Sequence, residues 1–251
     1  ADADGTVKYW QRNMSNVSEL RAHNQLVGDL SLSPTDKKFA TASDDGTCGI
    51  FDFETKDKER SLEGHGSNVH SVDWHPTKGL IASGSRDAQS PVKLWDPRQA
   101  RCLATLHIHK NSVTKLQWNM NGNWLLTASK DKQVKLFDVR SMKELQTFRG
   151  HQREVVSLAW HPIHEQLFVS GGQEGSVNFW MAGTETAVGS LPQAHDGIVW
   201  GLDWHPLGHI LATGSHDKMV KFLTRNRPGD TMKDRYNTPG DHDDHRLGRF
   251  P

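Results

Sequence analysis

Five histidines, His23, His65, His109, His151 and His195, recur at intervals of 42 to 44 residues. Imidazole can ligate a metal or exchange a proton with a nucleophile near neutral pH. Both chemistries need further groups gathered at one place. Here each histidine belongs to its own copy of a repeated unit, and no pair has the spacing of an HExxH zinc helix. Each unit carries its own polar set instead: His65 with Ser83, Asp87 and Trp95, and His151 with Ser170, Glu174 and Trp180. Imidazole donates and accepts, carboxylate accepts, hydroxyl does both, and a buried indole N–H requires an acceptor. The spacing therefore predicts a hydrogen-bond chain within each unit, structural in purpose. It predicts no assembled nucleophile, base and orienter, no enzyme, and no metal or other cofactor. Phe51 and Phe137 stand in the Trp position and Leu223 takes it in the last unit, so only the His65 unit is expected to keep the full network.

The elements that must hold these groups follow from the same period. A unit of about 40 residues buries its faces only against its neighbours, which is the signature of a stacked array. In the clearest copy, Val69 to Trp74 alternates as a strand, residues 75–79 (HPTKG) form a turn, and Leu80 to Ser85 is a buried strand. Val92 to Asp96 and Arg101 to Leu106 complete four strands. The same order returns from Gly150 and from Ala194. This is an all-β chain, and its spacing resembles that of WD40-type β-propellers over residues 1–223. Five complete blades and a leading half-blade (ADADGTVKYW) are expected, forming an incomplete seven-bladed ring that is open or imperfectly closed and has an exposed face on its first blade. Residues 224–251, with three prolines and mixed charge, read as an extended tail.

Composition narrows the function classes. Lys plus Arg and Asp plus Glu number 30 each, so no global field draws the chain to nucleic acid, and any such site must be local. The two cysteines, Cys48 and Cys102, occupy non-equivalent positions in different units and suggest neither a disulfide framework nor a CxxC metal motif, which fits a reducing compartment. No apolar run approaches the ~18 residues of a membrane helix.

The residues between the repeated positions are more specific. The segments SLSPTDKKFATASDDGT, the WHP turns at His75, His161 and His205, NGNWLLTAS, and HPLGHILATGSHDK running into TRNRPGDTMKDRYN closely resemble the WD-repeat subunit of the eukaryotic cleavage and polyadenylation factor. That resemblance implies a nuclear, noncatalytic scaffold in pre-mRNA 3′-end processing. It implies protein partners of two kinds, a large propeller-containing scaffold subunit and a CCCH zinc-finger subunit, together with a contribution to reading an AAUAAA-type signal in pre-mRNA. It implies no membrane partner and no small-molecule substrate. In the family, RNA contacts draw on a basic N-terminal arm and the first blades, so this chain, read as N-terminally truncated, is expected to bind RNA weakly. A generic WD-repeat adaptor, such as a ubiquitin-ligase substrate receptor, is the alternative.

Candidate surface residues complete the reading. Arg86, Lys130 and His216 occupy the position just before the turn acid, and Lys110 and Arg153 follow repeat histidines. Converging at one end of the central channel, they would form a local basic patch for RNA phosphates or an acidic partner segment; the plain alternative is solvated loop charge. Trp200 is an extra aromatic that could stack a base but is expected to fill space between blades. In the tail, Arg225, Arg227, Lys233 and Arg235 alternate with acids in a pattern suited to docking on a partner. His242 and His245 among neighbouring aspartates read as a solvated tail rather than a metal site.

Overall fold

A computed structural model describes residues 1–87 and 91–224. Successive units fold into separate antiparallel sheets, consecutive strands pairing side by side. A two-stranded sheet, β1 (Thr6–Trp10) with β2 (Asn16–Arg21), leads the chain. Four complete sheets follow: β3 (Val27–Leu32), β4 (Lys38–Ser43), β5 (Cys48–Asp52) and β6 (Lys58–Leu62); β7 (Val69–Trp74), β8 (Ile81–Ser85), β9 (Val92–Asp96) and β10 (Arg101–Leu106); β11 (Val113–Trp118), β12 (Trp124–Ser129), β13 (Gln133–Asp138) and β14 (Lys143–Arg149); and β15 (Val155–Trp160), β16 (Leu167–Gly172), β17 (Val177–Met181) and β18 (Gly189–Leu191). The fifth unit gives β19 (Val199–Trp204), β20 (Ile210–Ser215) and β21 (Val220–Thr224), three strands among the described residues. The expected tail begins one residue inside β21. Arg225, Arg227, Lys233, Arg235, His242 and His245 lie outside the described residues.

The first strands of successive sheets, β3, β7, β11, β15 and β19, contact one another and so define the axis of the array. Packing is between sheets, as a repeat architecture requires. Ala40, Ala42, Cys48 and Ile50 of one sheet meet Val69, Val72, Trp74, Ile81 and Trp95 of the next. Ala82, Val92 and Leu94 then face Val113, Leu116, Trp118, Leu125 and Phe137. Leu126, Ala128, Val134 and Leu136 likewise face Val155, Leu158, Trp160, Phe168 and Trp180. Gly84 belongs to this interface because a Cβ there would come within 2.6 Å of Val113 on the neighbouring blade.

The two ends break this rule. Val220 and Phe222 are 62% and 70% exposed, whereas their counterparts Val92 and Leu94 are buried. At the other end Trp10 is 60% exposed where Trp95 and Trp180 are sealed. No sheet joins first and last strands among the described residues, so the ring is not closed and its first blade shows an uncovered face, as the repeat count predicts.

Candidate functional site

Each repeat histidine spans its blade. His151 places Nδ1 2.7 Å from Glu174 and Nε2 2.7 Å from the Ser170 hydroxyl, which also accepts from the Trp180 indole at 2.7 Å. His65 reaches Ser83 at 2.6 Å, and Trp95 donates to the same hydroxyl at 2.7 Å; Asp87 acts electrostatically on His65. His23, His109 and His195 bridge Asp45 and Thr41, Asp131 and Thr127, and Asp217 and Thr213, at 2.7–2.9 Å. The His and hydroxyl pairing thus persists in all five units, but among the described residues the four-member chain with Trp closes in one, at His151, where Glu174 serves in place of Asp. The intact network is therefore not in the His65 unit, where the spacing predicts it: His65 Nδ1 is buried without a hydrogen-bond partner. The hydroxyl is Ser in both blades that carry Trp and Thr in the three that do not. A threonine methyl takes up volume that the smaller Phe or Leu leaves free.

The connectivity of Ser170, His151 and Glu174 is that of a nucleophile, base and orienter, which the sequence did not predict. Its chemistry is blocked by placement. Ser170 is fully buried, and its oxygen is committed to the indole. Ser83, Thr41 and Thr127 are equally sealed, so no substrate carbonyl can approach. Burial works to raise the Glu174 carboxyl, yet hydrogen bonds from His151 and Ser176 hold it down at about 2. The acid therefore stays ionised as a fixed acceptor. Among the described residues no cluster of three or more His, Cys, Asp or Glu could hold a metal.

The surface candidates occupy one register. Asp44, Arg86, Lys130, Gln173 and His216 each follow the second strand of a blade, and each backbone N–H donates at 2.8–3.0 Å to the loop that enters that blade's first strand. Their side chains therefore rim the same end of the axis. His70, on the neighbouring bulge of β7, reports on their convergence. Burial lowers its pKa, Arg86 and Lys130 lower it further, and Asp44, at 4.0 Å from its Nδ1, opposes them. The Nε2 of His70 and Oδ1 of Asp44 are buried without a hydrogen-bond partner. Arg86 makes no ion pair among the described residues, whereas Lys130 lies 3.5 Å from Glu154. Lys110, Arg153 and His216 are not among the charges acting on His70. Lys110 and Arg153 instead use their backbone N–H groups to bind Asp131 and Glu174. Of the five candidates, Arg86 and Lys130 are the ones whose charge acts on His70.

Sequence reasoning passed over His70 and the axial polar hub beneath it. Asp29 accepts from Ser71 Oγ at 2.7 Å and from Lys115 Nζ at 2.7 Å, tying three blades together. Asp73 accepts from Ser31 at 2.8 Å and from the Trp118 N–H at 2.7 Å, and burial raises its carboxyl to about 6. The available signal was polar residues at alternate positions of otherwise apolar first strands: Asp29 and Ser31, Ser71 and Asp73, Lys115 and Gln117. Trp200 sits at the bulge position shared with Gly28, His70, Thr114 and Val156. It is 59% exposed rather than packed between blades as expected.

Comparison with known proteins places this geometry. The chain is 44% identical to Polyadenylation factor subunit 2 of Gibberella zeae over 94% of its own length and 43% of that protein. It is 43% identical to the protein of the same name from Neurospora crassa, covering 94% of this chain and 40% of the relative. The Aspergillus fumigatus protein of that name is 44% identical over 92% of this chain and 51% of its own length. The chain thus spans about half or less of the curated relatives it matches. Residues 1–234 match the family model described as the IFT122 first beta-propeller, and with six antiparallel sheets among its described residues the chain belongs to that β-propeller family.

Proposed function

We propose that this chain is a noncatalytic scaffold of pre-mRNA 3′-end processing in the nucleus, holding protein subunits and contributing to recognition of the poly(A) signal. The observation that carries the reading is its 44% identity, over nearly its whole length, to proteins named as subunits of a polyadenylation factor. The sealed hydroxyls favour a binding role over catalysis. A large propeller-containing scaffold subunit and a CCCH zinc-finger subunit are the partners that the family resemblance implies.

The RNA contribution centres on Arg86 and Lys130 at the axial mouth. Lys130 is partly neutralised by Glu154, and the whole chain has zero formal net charge. Two cations support contact with one or two phosphates, so binding by this segment alone is weak and salt-sensitive. The test is affinity purification of the full protein from nuclear extract, with partners identified by mass spectrometry. Recovery of 3′-end processing subunits is expected. Ribosomal or signalling proteins with no 3′-end factor would overturn the proposal, and enrichment of cullin adaptors would favour the ubiquitin-ligase alternative.

A further inference from the structure

The end of the ring opposite the basic mouth carries the turns that join the first two strands of each blade. These turns occupy one repeated register. The first two complete blades present Thr35 with Asp36 and Thr77 with Lys78 there. The next three present Ile163 and Leu207 at the position of Thr35 and Thr77, and Met120 one residue before it, 62%, 67% and 71% exposed. Turn tips are ordinarily Gly, Pro, Asn, Asp or Ser for conformational reasons, and none of those reasons calls for a large apolar side chain. Three such residues on consecutive blades form an arc of the kind that marks an interaction surface.

The arc also contains a recess. A cavity of about 220 Å³ opens between Met120 and Ile163, with Trp160, Pro162 and Glu165 in its lining. That is below the ~300–1,000 Å³ typical of small-molecule sites, and it suits one anchoring side chain. Residues 119–123, 161–166 and 205–209 include no Lys or Arg, so these turns offer a phosphate backbone no counter-charge of their own; Arg140, in the adjoining turn whose Val139 N–H bonds Asn123, lies 3.6 Å from Asp138. The one carboxylate is Glu165, exposed, with Oε1 accepting from Asn121 at 2.5 Å.

We propose that this arc docks an apolar segment of a partner protein. The segment inserts one large side chain between Met120 and Ile163, covers Leu207, and sets a Lys or Arg beside Glu165. The inference rests on the scaffold role and assigns it a face: protein on the apolar arc, phosphate at the opposite mouth.

The experiment uses the tagged full-length protein in nuclear extract, with polyadenylation-factor subunits quantified by mass spectrometry. Met120→Asp/Ile163→Asp/Leu207→Asp is expected to lower recovery of at least one subunit tenfold or more. Glu165→Lys is expected to lower the same subunit several-fold. Thr35→Asp/Thr77→Asp, on the polar half of the same face, is expected to leave recovery unchanged. All substituted sites are turn residues, and equal melting temperatures would verify folding. Should the triple variant melt early, Glu165→Lys alone decides. Full recovery by both the triple variant and Glu165→Lys overturns the docking assignment while leaving the scaffold role intact. Loss of RNA binding without loss of any subunit also overturns it, reassigning the arc to nucleic acid. Absence of every such subunit from the wild-type sample overturns the scaffold role and this surface with it.

Discussion

The Nε2 of His75 lies 2.8 Å from the carbonyl oxygen of Gly122, a residue of the next blade. On the same ring Nδ1 accepts from the backbone N–H groups of Thr77 and Lys78 at 3.1 and 3.0 Å. Those two acceptor roles fix the proton on Nε2, so one neutral imidazole closes its own turn and latches it to its neighbour. His161 repeats the arrangement with Gly208 at 3.0 Å and with the N–H groups of Ile163 and His164. Both glycines have a positive φ, 69° and 72°. A Cβ on Gly122 would stand 2.7 Å from the His75 ring, so the latch needs glycine for backbone and for space.

His75→Ala should therefore destabilise the propeller by about 2 kcal/mol, the scale of a lost buried side chain that leaves one carbonyl and two N–H groups unsatisfied. The ring also packs against Trp118 at 4.8 Å, which adds to the loss. His205 is the control. It is exposed, and the one hydrogen bond of its ring among the described residues is from the N–H of Leu207, so His205→Ala should stay within about 0.5 kcal/mol. Urea unfolding of the two variants checks the difference; equal costs would show that the cross-blade bond contributes nothing.

Acid should loosen the blades in two stages. Burial and, after it, the Lys93 charge lower His65 to about 4, and burial also lowers His23, His75 and His161. The unfolded chain then takes up protons first, so the stability these groups contribute is complete above about pH 6.5 and is lost as pH falls from there toward 4. For His65 the full span is worth about 3 kcal/mol. The second stage belongs to Glu174, whose contribution holds above about pH 4.5 and is lost toward pH 2. Asp73, raised to about 6 by burial, runs the other way and loses stability as pH rises through 4 to 6, blunting the first stage. Melting temperatures from pH 8 to 3 should decline, and His65→Gln should flatten the upper part of that decline.

Much of this architecture is legible in the chain because strand and turn signals repeat in register. The predicted strands at residues 69–74, 92–96 and 101–106 coincide with β7, β9 and β10, and the strand at 80–85 starts one residue later. Alternation and turn chemistry act within a few residues of each other, so a single unit suffices to read them. The candidate site was less legible. Asp29, Ser71 and Lys115 meet across three blades, at sequence separations of 42 and 86, and the curvature that unites them is a property of the whole ring. His75 was legible by half: its turn role is local, while its bond to Gly122 lies 47 residues away. Register alone names five surface cations, but which of them act together depends on residues of facing blades: at His70 the charges are those of Arg86 and Lys130, opposed by Asp44.

The Ser and Trp partnership gives a test of the blade network. Trp180→Phe removes the donor to Ser170 and a large buried volume, and should cost 2–4 kcal/mol, about the range for buried aromatic truncation. Blades with Phe carry Thr in the hydroxyl position, as in Thr127 with Phe137. Ser170→Thr alone should destabilise, because its methyl has to share space with the indole. The double variant should recover part of the loss, with a coupling of about 1 kcal/mol in a double-mutant cycle. Strict additivity would mean that the Ser/Thr pattern has no energetic basis.

The axial mouth yields the last prediction. Arg86 has no ion-pair partner among the described residues, while Lys130 shares its charge with Glu154, so the two cations are unequal. Each phosphate contact contributes about 0.7 to the slope of log affinity against log salt for a single strand. Arg86→Ala should therefore weaken binding of a single-stranded AAUAAA-containing RNA several-fold at low salt and reduce the slope by about one contact. Lys130→Ala should do less, because its ammonium is already engaged by Glu154 and is less free to reach a phosphate. Glu154→Gln should strengthen binding by freeing Lys130. Fluorescence anisotropy across a salt series measures all three. Equal slopes for wild type and Arg86→Ala would remove this mouth from the RNA path and leave the ring a protein scaffold alone.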